Sequence, residues 1–145
     1  MKGTPLDEIF DSFYSLIKDT DFYKMDDEDL AKLTKVYFEM ASTRFKECKS
    51  NLELVQDDEE NYYTTDKITL EEKNILAQGM VFYWIESKVN YNKLMKNQIN
   101  TKDYNQLSNA NILLRLNELL DYYRKNFGRL RKAYTKRYKD FGGWS

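Results

Sequence analysis

Carboxylates, ammonium groups and guanidinium groups make up the reactive inventory of this 145-residue chain, and histidine is missing from it. The side chain that most often moves protons near neutral pH, and most often ligates metals, is therefore absent. A single cysteine, Cys48, can form neither an internal disulfide nor a paired-cysteine zinc site. It falls at helical spacing behind Ala41 and Phe45, with no imidazole to activate it, and reads as a small buried residue. Carboxylates cluster twice. Asp26 to Asp29 open a predicted helix, where negative charge suits the positive end of the dipole. Asp57 to Glu60 lie in a polar segment. A calcium loop of the EF-hand kind needs glycine at its sixth position. Counted from Asp57 that position is Tyr62, which excludes it. No phosphate-cradling glycine loop, GxSxG or HExxH occurs. The residues point to no enzyme, no cofactor and no metal.

What remains is ionic recognition. From Tyr122 to Lys139 there are eight basic residues and no acidic one: Arg124, Lys125, Arg129, Arg131, Lys132, Lys136, Arg137 and Lys139. Tyr122, Tyr123, Tyr134 and Tyr138 are interleaved with them. Cations near a helix C-terminus are ordinary, but these exceed what the dipole needs. Three readings stay open: a solvated basic face, a surface that docks on an acidic protein partner or the acidic half of a neighbour, and a nucleic-acid contact. Trp144, in the expected flexible tail 140–145, is a further candidate peg for a partner. The net charge is −1, yet residues 1–60 hold 16 acidic and 8 basic residues, and residues 61–145 hold 8 and 15. Such a dipole suits stacking with copies of itself or bridging two different partners.

The elements that must carry these groups are helical. One proline and five glycines leave few breaks. The stretch from Thr69 to Ser87 anchors the reading. Thr69 and Glu72 form a capping box, and the apolar residues after it cover most of the helix circumference, which marks a buried helix. It is too short to span a bilayer. Gly79 in its interior costs about 1 kcal/mol relative to alanine and is expected where another helix approaches closely.

Ahead of it, Thr4 is the expected N-cap and Pro5 the first residue of a short helix. That helix carries Leu6, Ile9, Phe10, Phe13, Leu16 and Ile17 on one face. It docks on its own domain or on a neighbouring subunit. A linker from Asp19 to Met25 leads to a second helix reaching about Ser50. Its expected buried face is Leu30, Leu33, Val36, Tyr37, Met40, Ala41, Phe45 and Cys48. Asn51 to Lys67 reads as a surface loop in which Tyr62 and Tyr63 could form a short strand. Asn90 to Thr101 reads as a frayed continuation of the central helix or a short helix. Ser108 is the expected cap of the last helix, Asn109 to about Lys139. There Leu113, Leu116, Leu120, Tyr123, Phe127, Leu130 and Tyr134 repeat at spacings of three and four. That heptad seam packs inside the chain or forms a self-associating coiled coil. The fold class is all-α: a single helical domain over 1–145, with a buried central helix and a long C-terminal helix.

The order of these pieces resembles a family. TPLDEIFDSF, DLAKLTKVYFEMASTRFKECKSNLEL, ITLEEKNILAQGMVFYWIESKVN and KDYNQLSNANILLRLNELLDYYRKNFGRLRKAYTKRY follow one another as in the small helical head–tail connector (adaptor or neck) proteins of tailed bacteriophages. The most characteristic segment runs from Leu70 to Trp84. Where the family often breaks after the tryptophan segment, this chain has Ser87-Lys88-Val89-Asn90, which bears on where the central helix ends. The resemblance implies a structural virion protein, made in the host cytoplasm. It implies a ring of twelve subunits between the portal protein and the next neck or tail protein, through which DNA passes without sequence-specific binding. It implies no membrane association. The alternative is a small helical nucleic-acid-binding or regulatory protein that uses the basic helix.

Overall fold

The computed structural model describes residues 3–17, 27–98 and 103–142, and within these it leaves the side chain of residue 27, some between 92 and 110, and those beyond 138, undescribed. The architecture is an all-α bundle with one small hairpin. Four helices, α1 (Leu6–Leu16), α2 (Asp27–Arg44), α3 (Leu70–Gln98) and α4 (Asp103–Gly142), enclose one hydrophobic core. Helix α3 is its axis, since α1, α2 and α4 all pack on it. Its capping box forms as the residues require. The Glu72 N–H donates to Thr69 Oγ1 at 3.1 Å, and the Thr69 N–H donates back to Glu72 Oε1 at 2.9 Å. Ile75, Leu76, Ala77, Met80, Val81, Ile85 and Val89 are buried along it.

The helix continues eleven residues past Ser87, to Gln98. The polar stretch after Asn90 is a continuation rather than a separate element. Helix α4 likewise starts before its expected cap: Ser108 and Asn109 lie inside it. At 40 residues it is about 60 Å long. Its heptad seam packs within the chain, with Phe127 and Tyr134 buried and Leu113, Leu116, Leu120, Tyr123 and Leu130 packed against the core. At Gly79 the Phe127 ring of α4 sits directly on α3. A Cβ there would lie 2.7 Å from the Phe127 ring. The helix-propensity cost of glycine is offset by seating a phenylalanine in the gap it leaves.

Three corrections concern the first half. Thr4 does not cap α1; the N-cap is Pro5, with no side-chain hydrogen bond. Thr4 ties the chain to the hairpin instead. Its N–H donates to Thr64 Oγ1 at 3.0 Å, and its own Oγ1 accepts the Ile68 N–H at 2.9 Å. Helix α1 then docks on α3 and the hairpin, burying Leu6, Ile9, Phe10 and Phe13. Helix α2 ends at Arg44, six residues short of Ser50. The Arg44 carbonyl accepts Arg131 Nη1 of α4 at 3.1 Å, so a terminal backbone acceptor is satisfied from another helix. The buried face of α2 is also rotated. Thr34, Tyr37, Phe38 and Ala41 are buried, as is Phe45 just past the helix end, while Val36 is 50% exposed and Met40 39%. Thr34 can lie inside because its hydroxyl bonds the Leu30 carbonyl at 2.6 Å and Tyr14 Oη at 2.8 Å.

The stretch Asn51–Lys67 is an antiparallel hairpin, β1 (Leu54–Gln56) with β2 (Tyr62–Thr64), pairing Leu54 with Thr64 and Gln56 with Tyr62. The expected strand at Tyr62–Tyr63 is therefore present, and a partner strand accompanies it. The linker Asp19–Met25 and residues 143–145, with Trp144, lie outside the described residues, whereas residues 140–142 of the expected tail continue α4.

Candidate functional site

The capping-box glutamate is the best-connected ionisable group in the core. Glu72 is 1% exposed, and each of its oxygens accepts two hydrogen bonds. Oε1 takes the Thr69 N–H at 2.9 Å and Ser50 Oγ at 2.7 Å. Oε2 takes Tyr134 Oη at 2.6 Å and Cys48 Sγ at 3.4 Å. Tyr134 Oη in turn accepts the Lys49 N–H at 2.8 Å. One carboxylate thus joins the N-terminus of α3, the turn after α2 and the C-terminal part of α4. Burial works against its charge, but the four donors outweigh it and hold the carboxyl below its ordinary pKa. Burial and the neighbouring carboxylate push the Cys48 thiol up to about 12 and raise the Tyr134 phenol as well.

This arrangement is structural. The carboxylate is saturated by groups of its own chain, and the thiol is held protonated as a donor. Cys48 is not on the face of α2; it lies beyond the helix end and is half-buried. Sequence spacing showed the Thr69–Glu72 box but not the convergence of Tyr134, Ser50 and Cys48 upon it. The available signal was that Glu72 lies three and four residues before Ile75 and Leu76, on the buried face.

The basic residues of α4 divide by what they touch. Arg131 is the innermost. Its guanidinium lies 4.5 Å from the centroid of the Phe127 ring, donates to the Arg44 carbonyl and sits 4.0 Å from Glu47. Arg137 bonds Glu71 of α3 at 2.6 Å. Arg124 and Lys125 share Asp121, at 2.6 and 2.9 Å. Arg129 bonds Asn126 Oδ1 at 2.6 Å. Lys132 and Lys136 are exposed and enter no ion pair among the described residues. Arg131 and Arg137 therefore hold the fold together. Lys125, Arg129, Lys132 and Lys136 form a stripe at spacings of four, three and four, roughly opposite the α4 seam when projected at 100° per residue.

A second surface feature was hidden by the regularity of the seam. Between residues 112 and 123 the helix is apolar on more than one face. Leu113, Leu116, Leu120 and Tyr123 pack on the core. Ile112, Leu114, Leu119 and Tyr122 are 46%, 61%, 41% and 60% exposed. Tyr91 of α3 is also exposed, at 62%. No helix formed by the described residues is long and apolar enough to cross a membrane. Among those residues no group of three or more His, Cys, Asp or Glu is placed to hold a metal ion. Comparisons with protein-family models, curated proteins and solved structures find no match.

Proposed function

We propose that this protein is a structural component of a tailed-phage virion, a head–tail connector or adaptor. In this reading it forms a ring between the portal protein and the next neck or tail protein. It assembles in the host cytoplasm and surrounds the channel through which DNA leaves. The resemblance of the ordered sequence pieces suggests the class. The observation that carries the assembly half is the exposed apolar set on α4, Ile112, Leu114, Leu119 and Tyr122. Between residues 112 and 123 apolar side chains occupy more than one face of α4, and α3 covers only one of them. Exposed apolar surface of this kind marks a protein–protein contact. The charge imbalance between the two halves of the sequence suits contacts with unlike partners.

Light scattering tests the reading, on the purified protein alone and mixed with the portal protein of the same phage. A discrete ring-sized complex in either sample is the expected result. A species that stays at the 17.5 kDa monomer mass in both, and shifts only on adding DNA, overturns it. That outcome would turn the basic stripe into a nucleic-acid surface, with affinity falling steeply as salt rises.

A further inference from the structure

The basic stripe on α4 has a counterpart on the same chain. The hairpin turn carries Asp58, Glu59 and Glu60, all exposed and in no ion pair among the described residues. The turn is preformed. The Asp57 N–H donates to the Asn61 carbonyl at 3.0 Å, the Glu60 N–H to the Asp57 carbonyl at 3.1 Å, and Asp57 Oδ1 accepts the N–H groups of Glu59 and Asn61, each at 2.9 Å. Glu60 sits at φ 66°, a left-handed position where glycine is easier.

The two patches match in charge. Arg129, Lys132 and Lys136 are exposed on one face of α4, spread over about 10 Å of helix axis. The turn is more compact, because a β-turn holds its first and fourth Cα atoms within about 7 Å. Each patch also has an apolar neighbour. Tyr122 lies one heptad before Arg129 on the same face and is 60% exposed, and Val55, three residues before Asp58, is 45% exposed. Within one chain the patches do not meet. The hairpin is carried by α1, while the stripe faces away from the seam by which α4 packs on α3.

We infer that the acidic hairpin tip of one subunit, Asp58 to Glu60, docks on the Arg129–Lys132–Lys136 stripe of the next copy of this chain. The contact deepens the ring reading and rests on it. It joins unlike surfaces of identical subunits, and a contact of that kind repeats around a closed ring or along an open filament. Its charges set register and encounter rate rather than supplying the whole affinity. Screening weakens it, because the Debye length falls from about 10 Å at 0.1 M salt to about 3 Å at 1 M.

A charge swap tests this. One variant carries Lys132→Glu with Lys136→Glu, the other Asp58→Lys with Glu59→Lys. Each alone opposes like charges across the contact and is expected to sediment at the 17.5 kDa monomer mass. Mixed in equal amounts, every contact between unlike variants is again complementary. The mixture is expected to recover the wild-type mass distribution and to lose it at high salt. Two outcomes overturn the contact: either variant alone associating as the wild type does, or wild type and mixture both remaining monomeric at low salt. Neither removes the ring reading, which the portal mixture decides separately. Circular dichroism of each variant at the wild-type melting temperature separates lost docking from lost folding, and a misfolded pair is replaced by Lys136→Glu with Glu59→Lys.

Discussion

At the residue scale the molecule turns on Glu72. A buried carboxylate without a counter-cation is costly unless its lone pairs are filled. Here four donors fill them. Replacing Tyr134 with phenylalanine would leave the Lys49 N–H without its acceptor and remove the shortest donor to Glu72 Oε2. The expected loss is about 1–3 kcal/mol of stability by urea denaturation. The same cluster sets a pH window. The folded pKa of Glu72 is depressed, so its contribution is full above the unfolded value of about 4.3 and is lost as pH falls through the folded one. The folded pKa of Cys48 is raised to about 12, so its contribution is full below the unfolded value of about 8.5 and is lost as pH rises toward the folded one. Stability measured against pH should therefore plateau between these limits. Glu72→Gln should flatten the acid limb, and Cys48→Ala should flatten part of the alkaline limb; an unchanged acid limb in Glu72→Gln would assign it to other carboxylates. Half of this centre was legible in the sequence. The capping box is a local spacing and can be read directly. The partners from residues 48, 50 and 134 are brought in by tertiary packing, which no local spacing encodes.

At the element scale, α3 and α4 were the legible part and their ends were not. The heptad seam is a long periodic signal and the central helix a capped apolar run, and both elements appear where the sequence puts them. The ends failed for identifiable reasons. Helix α2 stops at Arg44, where Arg131 satisfies a carbonyl that the helix end leaves open. Its buried stripe rotated because Thr34, polar by type, is satisfied twice. Thr4 was spent on the hairpin, and so could not cap α1. The α3–α4 contact gives a sharp test. Gly79→Ala should gain about 1 kcal/mol in helix propensity but place a Cβ 2.7 Å from the Phe127 ring. Overpacking of that kind costs about 1–3 kcal/mol. A net destabilisation is expected, smaller in a Phe127→Leu background, with the difference read from a double-mutant cycle in urea. Equal effects in both backgrounds would show that the ring moves aside at no cost.

At the scale of the whole molecule, the interior and the surface make different demands on α4. Its seam residues are used up within the chain, and its C-terminal cations split between holding the fold (Arg131, Arg137) and facing outward (Lys132, Lys136). Charge reversal at Arg131 would therefore confuse folding with docking, and Lys132 with Lys136 is the cleaner pair. The middle of α4 is where assembly and folding can be separated most directly. Leu114, Leu119 and Tyr122 are exposed in the single chain, so serine at each should change monomer stability by no more than about 0.5 kcal/mol. If a partner covers them, each leucine removed forfeits about 1.5–3 kcal/mol of apolar burial in the complex, which is at least tenfold in affinity. Urea denaturation at low protein concentration reads the first quantity, and light scattering against concentration, with and without the portal protein, reads the second. Unchanged stability with weakened association places these side chains inside the assembly. Unchanged stability with unchanged association places the assembly contact elsewhere and leaves these side chains as solvent-facing apolar surface.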